Sequence, residues 1–472
     1  MRRRGRGSPE TSNISSRAVQ KKPFTVLFCR IFAAMFVFAL ISISFLFSII
    51  FTPTEKSQTR TPCVLWMAPF LSGGGYSSEA WSYITSLHDE KSFRMKIEHH
   101  GDMQNFDFWN GLSSETKNLA FNLHSTECKM SETIVICHSE PGAWWPPLFE
   151  TNPCPPTGYK DPAPLYVIGR TMFETDRLNS EHVRRCNWMD SVWVPTDFHI
   201  STFVKSGVDP SKLVKIIQPV DVELFNPDKH MPLPLPCENP VFGDPSPDSC
   251  KGKFVFLSIF KWEKRKGWDL LLKAYLREFS DEDNVVLYLL TNPYHSDRDF
   301  TAQIQQLVAG DSKDSDLGNL EDNVRRYPAI EIIDTHIPET DLPGLYKSAD
   351  AFVLPTRGEG WGRPIVEAMS MSLPVIATNW SGPTEYLTEE NGYPLPVERM
   401  VEVEEGAFKG HMWAEPSVED LRILLRRVVS DPMERKRKGM KAREDMMRRF
   451  SPEVVADVII NEISKILESK RN

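Results

Sequence analysis

The chain has no Cys-x-x-Cys pair, no internal repeat and no low-complexity tract in its 472 residues, and it holds only one long apolar run. The missing Cys-x-x-Cys spacing argues against a structural zinc site. The missing repeats exclude a solenoid or propeller array. Basic residues are also scarce in most of the chain: beyond Arg30 there are 47 Lys/Arg against 63 Asp/Glu, a balance of −16. A body so acidic argues against a nucleic-acid partner. What remains is a length that holds two domains of ordinary size, each with its own core.

Positive charge is concentrated at the start. The first thirty residues carry eight Lys/Arg and one acid, Glu10, and Ile31–Phe51 then runs 21 residues without a charge. At about 1.5 Å per residue that run crosses a hydrocarbon core of about 30 Å. The basic flank belongs on the cytosolic side, so the spacing predicts a type II signal anchor with a lumenal body. A cleaved signal peptide is the alternative, but Phe51-Thr-Pro-Thr offers no small-residue cleavage site. The expected organisation is a cytosolic tail (1–30), a membrane span (31–51), a stem (52–62) and a body in the Golgi or endoplasmic reticulum lumen.

Seven cysteines follow the span: Cys63, Cys128, Cys137, Cys154, Cys186, Cys237 and Cys250. An oxidising lumen permits pairing, yet an odd number leaves at least one thiol over. Cys237 and Cys250 flank a proline-rich loop and are the first candidate pair, with both remaining unpaired as the alternative. The sequon Asn379-Trp-Ser381 falls in a loop expected to bury it.

Strand-like apolar runs occur at Val64–Ala68, Thr133–Cys137, Leu165–Ile168, Ser191–Val194 and Val214–Ile217, with helical stretches between them. Such alternation predicts a parallel, doubly wound α/β sheet over 63–227. Residues 228–252 are dense in proline and read as a linker. A second alternation fills 253–450, with strands at Phe254–Ser258, Val285–Leu290, Ile330–Ile333 and Ala351–Pro355, and an amphipathic helix over 451–472 closes the chain.

Four segments carry candidate chemistry. Gly73, Gly74 and Gly75 follow the first strand and precede a helix, where free backbone N–H groups can meet a phosphate or a sugar hydroxyl, although a plain flexible turn has the same composition. His138-Ser-Glu-Pro141 ends a strand, where open sheets bind ligands; a core histidine is the competing reading. Lys261-Trp-Glu-Lys-Arg-Lys-Gly267 gathers Lys261, Arg265 and Lys266 at the start of the second domain, where cations could offset a departing diphosphate. Thr356–Tyr386 places Glu359 in a strand-to-helix loop and Glu367 one turn into the helix, around Gly360, Trp361 and Gly362, with Pro364 at a tolerated first-turn position. No Asp-x-Asp pair falls at a strand end predicted to face a cleft, so no metal is expected.

The run Glu359-Gly-Trp-Gly-Arg-Pro-Ile-Val-Glu367, followed by Leu-Pro-Val-Ile-Ala-Thr378 and Ser381-Gly-Pro-Thr-Glu385, resembles the signature of retaining glycosyltransferases of the group 1 (family 4) type, including its Glu-x7-Glu pair. The resemblance covers about Cys63 to Leu467 and implies the GT-B architecture, two Rossmann-like domains facing a cleft, with the terminal helix crossing back to the first domain. It implies metal-independent transfer of a sugar from a nucleotide-diphosphate donor to a glycan, lipid or protein acceptor. Lys261 takes the family's arginine position and Lys266 its lysine, which leaves open whether Lys261 or Arg265 makes the first diphosphate contact. The resemblance also implies Glu367 on the ribose, Glu359 with the Gly360–Gly362 amides on the donor sugar, and His138 on the sugar from the other domain. Thr171-Met-Phe-Glu-Thr175 resembles a family segment with no role assigned to it. A catalytically silent sugar-binding relative is the alternative, suggested by lysine in place of the arginine.

Overall fold

The computed structural model describes residues 61–158, 160–237, 240–243, 246, 250–293, 299–311 and 327–470. The expected membrane span Ile31–Phe51 lies outside the described residues, with the tail and nearly all of the stem. Among the described residues no helix is long and apolar enough to cross a membrane.

Two six-stranded parallel sheets organise the chain. The first runs β1 (Cys63–Ala68), β2 (Arg94–His99), β3 (Thr133–His138), β4 (Tyr166–Arg170), β5 (Ser191–Val194) and β6 (Leu213–Lys215), in the order β2-β1-β3-β4-β5-β6. The second runs β7 (Phe254–Trp262), β8 (Val285–Pro293), β9 (Ala329–Ile333), β10 (Ala351–Leu354), β11 (Val375–Thr378) and β12 (Tyr393–Leu395), in the order β12-β11-β10-β7-β8-β9. A separate antiparallel hairpin joins β13 (Val397–Glu402) to β14 (Met412–Pro416). The helices that frame the site are α1 (Gly75–Leu87), α2 (Phe106–Gly111), α3 (Ser114–His124), α4 (Trp268–Glu278), α5 (Arg363–Ser370), α6 (Pro432–Phe450) and α7 (Pro452–Ser469).

Strand period 2 sorts the first sheet's side chains cleanly. Val64, Trp66 and Ala68 face a core shared with α1, whereas Leu65 and Met67 face the opposite core with Val135 and Cys137. Both faces are covered, which is why these strands read as continuous apolar runs. Helix α7 supplies Val455, Ala456, Ile459, Ile463 and Ile466 to the first of those cores. Its large apolar side chains are each worth about 1.5–3 kcal/mol when fully buried. A serine N-cap, Ser451, breaks the chain between α6 and α7 and turns it toward the first sheet.

The proline-rich segment does not hang between the domains. Leu233 N–H bonds to Gly344 O, Val241 N–H to Ile330 O, and the Tyr288 hydroxyl to Pro236 O, so the segment lies along the second sheet. Val220, Val222 and Phe225 already belong to the second core. Among the described residues three disulfides form, Cys63–Cys128, Cys137–Cys154 and the expected Cys237–Cys250, and Cys186 is a buried free thiol.

Candidate functional site

In an open parallel sheet the ligand crevice forms at the carboxyl ends of the strands, where strand order reverses direction. In the second sheet β7 has β8 on one side and β10 on the other, so the crevice opens between the loops that follow β7 and β10. Those loops are Glu263–Gly267 and Pro355–Gly362. In the first sheet the reversal lies between β1 and β3, whose following loops hold Gly73–Gly75 and Ser139–Pro141. Four segments distant in sequence thus become two facing pairs.

The second-domain loops are zipped together. Arg357 N–H and the Thr356 hydroxyl both donate to Arg265 O, and the Arg265 guanidinium donates to Gly358 O at 2.7 Å. Beneath them the Arg357 side chain binds Asp269 on α4 and Glu415 on β14, fixing the floor of the crevice. This framework brings Lys266 Nζ to 2.7 and 2.9 Å from the two Glu359 oxygens, with Arg265 Nη1 at 3.5 Å. Burial pushes the Glu359 carboxyl up, but Lys266 and Arg265 more than offset this and hold it below its ordinary range. Glu359 is therefore a fixed anion that orients two cations. Arg265 also pairs with Glu263 at 2.7 Å and approaches Glu174 at 3.8 Å. Lys261, near the end of β7, feels the charges of Glu263, Lys266 and Arg265, and it partly offsets the rise that burial gives the Asp102 carboxyl of the first domain.

Glu367 lies on the buried face of α5, where its Oε2 accepts from the Tyr346 hydroxyl at 2.9 Å and Arg363 stands at 3.7 Å from Oε1. Burial holds its carboxyl above the ordinary range. Gly362 caps the start of α5 at φ +95°, a left-handed conformation suited to glycine. Gly360 passes so near the first domain that a Cβ there would lie 2.6 Å from Met172 Sδ. Trp361 departs from the expectation that it binds donor. Its indole is buried edge-on against Tyr386 and Phe450, because the apolar pocket behind α5 takes the ring.

On the first-domain side, Gly75 opens α1 with nothing within 4 Å of its would-be Cβ, and Gly74 N–H donates to Ser72 Oγ. Gly73, at φ +72°, packs under the Phe108 ring. His138 requires a correction: the imidazole, expected to face the sugar, is wholly buried beneath this loop. Trp66 Nε1–H can only donate, so His138 Nδ1 accepts at 3.1 Å, which leaves the proton on Nε2, donated to Glu79 Oε2 at 2.9 Å. Burial keeps the ring neutral. Arg170 closes the network, binding Glu79 Oε1 and the Tyr83 hydroxyl. Above it Tyr76 stands edge-on to His138 and donates to Met172 O at 2.9 Å. His138 thus supports the ring that carries the α1 end of the crevice.

Thr171–Thr175, which had no role assigned in the sequence, and Asp176 after it make contacts between the domains, beside those of Lys215 with Glu385 and Phe198 with Trp380. Glu174 O abuts Gly358, the Thr175 hydroxyl meets His411 Nδ1 at 2.9 Å, and Asp176 exchanges hydrogen bonds with Met412 on β14. Asp102 and Glu140 also reach the crevice, both with carboxyls raised by burial. Glu140 had a signal in the His138-Ser-Glu-Pro141 motif, whereas Asp102 had none. Asn379 of the sequon is exposed, against expectation, because its backbone pairs with β12 while only Ser381 turns inward, bonding Glu359 N–H.

Residues 251–406 match the family model described as glycosyl transferases group 1. A mannosylfructose-phosphate synthase of Agrobacterium fabrum is 30% identical over 132 residues, 28% of this chain and 26% of that protein. The chain therefore aligns with about a quarter of that relative's length. Sucrose-phosphate synthase from Thermosynechococcus elongatus superposes with a TM-score of 0.57 at 12% identity, covering 86% of this chain and all of that one. Anabaena HepE in complex with UDP and glucose gives 0.56 at 13% identity with the same coverage. The architecture of two parallel-sheet α/β domains is thus that of GT-B glycosyltransferase structures.

Proposed function

We propose that this protein moves a sugar from a nucleotide-diphosphate donor to an acceptor hydroxyl with retention at the anomeric carbon. The observation that carries the reading is the convergence of Lys266, Arg265 and Glu359 at the reversal point of the second sheet, inside the segment that matches the group 1 family. Cations there stabilise charge that builds on a departing diphosphate, and the effect is large in a site walled off from water. The complexes of HepE with UDP and glucose support a nucleotide-sugar donor.

Transfer is expected to proceed in EDTA with one member of a UDP-, GDP- and ADP-sugar panel, and proton NMR of the product is expected to show the donor's anomeric configuration. Activity lost in EDTA and restored by manganese would assign the diphosphate to a metal rather than to Lys266 and Arg265; an inverted product would remove retention. The proposal gives Glu367 the ribose. Glu367→Ala is expected to weaken nucleotide binding by about 1.5–3 kcal/mol, since two hydroxyls lose a charged acceptor. Calorimetry showing equal affinity in wild type and variant would refute that placement.

The proposal also sets the body in the lumen of the secretory pathway behind the Ile31–Phe51 anchor. Three disulfides support an oxidising compartment. In sealed microsomes the C-terminus is expected to survive protease until detergent is added, and digestion without detergent would reverse the topology.

A further inference from the structure

A cavity of about 520 Å³ opens beyond the carboxyl ends of β1 and β2, beside the crevice but separate from the donor groups. Its apolar wall includes Phe70, Trp81, Phe106, Trp109, Ala120 and Phe121, and Glu98, His99, Gln104, Asn105, His124 and Asn152 form its polar lining. That volume falls within the usual range of small-molecule sites, about 300–1,000 Å³.

The polar groups of the wall are largely committed elsewhere. His99 accepts from Leu71 N–H and binds Asp102 O, Asn152 donates to His99 O, and His124 binds Ile97 O. Asn105 caps α2 by accepting from Asp107 and Phe108 N–H, Glu98 pairs with Lys96, and the Trp81 N–H bonds Phe70 O. A sugar ring buried here would lose water from its hydroxyls and find few partners in return, at a cost. An apolar group meets the rings of Phe70, Trp81, Phe106, Trp109 and Phe121.

A second observation ties the cavity to the donor side. Helix α2 reads Phe-Asp-Phe-Trp-Asn-Gly and buries none of its residues, although three of its first four are aromatic. Phe108 packs on Gly73 in the glycine loop, while Phe106 and Trp109 line the cavity. One short helix therefore touches both places. Asp102, in the loop between β2 and α2, feels the charge of Lys261 from the second domain.

We infer that this cavity holds an apolar part of the acceptor, an alkyl or aryl aglycone, so that the hydroxyl to be glycosylated is presented at the crevice. The inference rests on the glycosyltransferase reading above and narrows its acceptor to an amphipathic molecule.

The test titrates the full-length protein, by calorimetry with UDP present, with octyl and phenyl glucosides and with free glucose. The glucosides are expected to bind at least tenfold tighter than glucose. Ala120→Phe, which fills the cavity from α3, is expected to abolish that preference. Phe121→Asp, at a 63% exposed position where folding is not at stake, is expected to reduce it as well. Thermal stabilisation by UDP should be the same in all three proteins, because neither position touches a donor group. Equal binding of glucosides and glucose, or a preference untouched by both substitutions, overturns the inference. Absence of stabilisation by UDP, GDP or ADP in the wild type would instead count against the donor reading, whatever the glucosides do.

Discussion

Lys266→Ala is expected to lower turnover by about 10²–10³ with the fold intact, the usual consequence of removing a donor aimed at developing charge. The variant also leaves the buried Glu359 with only Arg265, at 3.5 Å, in place of two bonds at 2.7 and 2.9 Å. The low position of the Glu359 carboxyl depends on Lys266 more than on Arg265. Its carboxyl should therefore rise, and the acid limb of the rate profile should move to higher pH. Lys266→Arg, which keeps the charge, should recover part of the rate. A pH profile of kcat for the three proteins decides it, and unchanged turnover in Lys266→Ala would put the diphosphate elsewhere. Arg265→Ala and Lys261→Ala, compared in the same assay, settle which of them makes the other diphosphate contact. Arg265 shares the Glu359 carboxylate with Lys266, which makes it the first candidate.

The second large effect concerns stability. Glu79→Ala is expected to cost about 3–5 kcal/mol, because it strands the buried Arg170 guanidinium and the His138 N–H without their shared acceptor. Replacing Glu79 and Arg170 together by leucine and methionine should cost less than Glu79→Ala alone, since no charge is then left unpaired. The same network sets an acid limit. Burial raises the Glu79 carboxyl, but Arg170 and His138 override it and hold it at about 2. Its folded pKa lies below the unfolded value near 4.5, so its stabilisation is fully present above pH 4.5 and is lost as pH falls toward 2. That contribution is on the order of 3 kcal/mol. Urea melts between pH 7 and 3 should show the acid loss in wild type and a flatter slope in Glu79→Gln. A Glu79→Ala variant as stable as wild type would show that the cluster does not hold the first domain together.

The two sheets were legible because their strands are covered on both faces, so that Thr133–His138 and Ala351–Leu354 stand out as apolar runs. The Glu359–Glu367 spacing was legible because loop, helix start and carboxylates are contiguous. What was hidden depends on distant partners. His138 looked like a ligand at a strand end until Trp66 and Glu79, far away in sequence, took both of its nitrogens. Trp361 sat among glycines in a loop, and only Tyr386 and Phe450 reveal it as core. Cys237 and Cys250 are near neighbours in sequence, but Cys63 and Cys128 are 65 residues apart and meet because β1 and the α3–β3 connection share an end of the sheet. Thr171–Thr175 had no readable role because Glu174 and Thr175 meet Gly358 and His411 in the other domain.

The docking of α7 on the first sheet also fixes an order of assembly. β1 is among the first parts of the body to leave the ribosome, yet the core behind Val64 and Trp66 stays open until Val455–Ile466 arrive, after every strand of the second domain. The second domain can close while the first still waits. During synthesis the earlier half therefore keeps part of its apolar face uncovered until α7 emerges, the reverse of the usual sequence in which N-terminal units finish first.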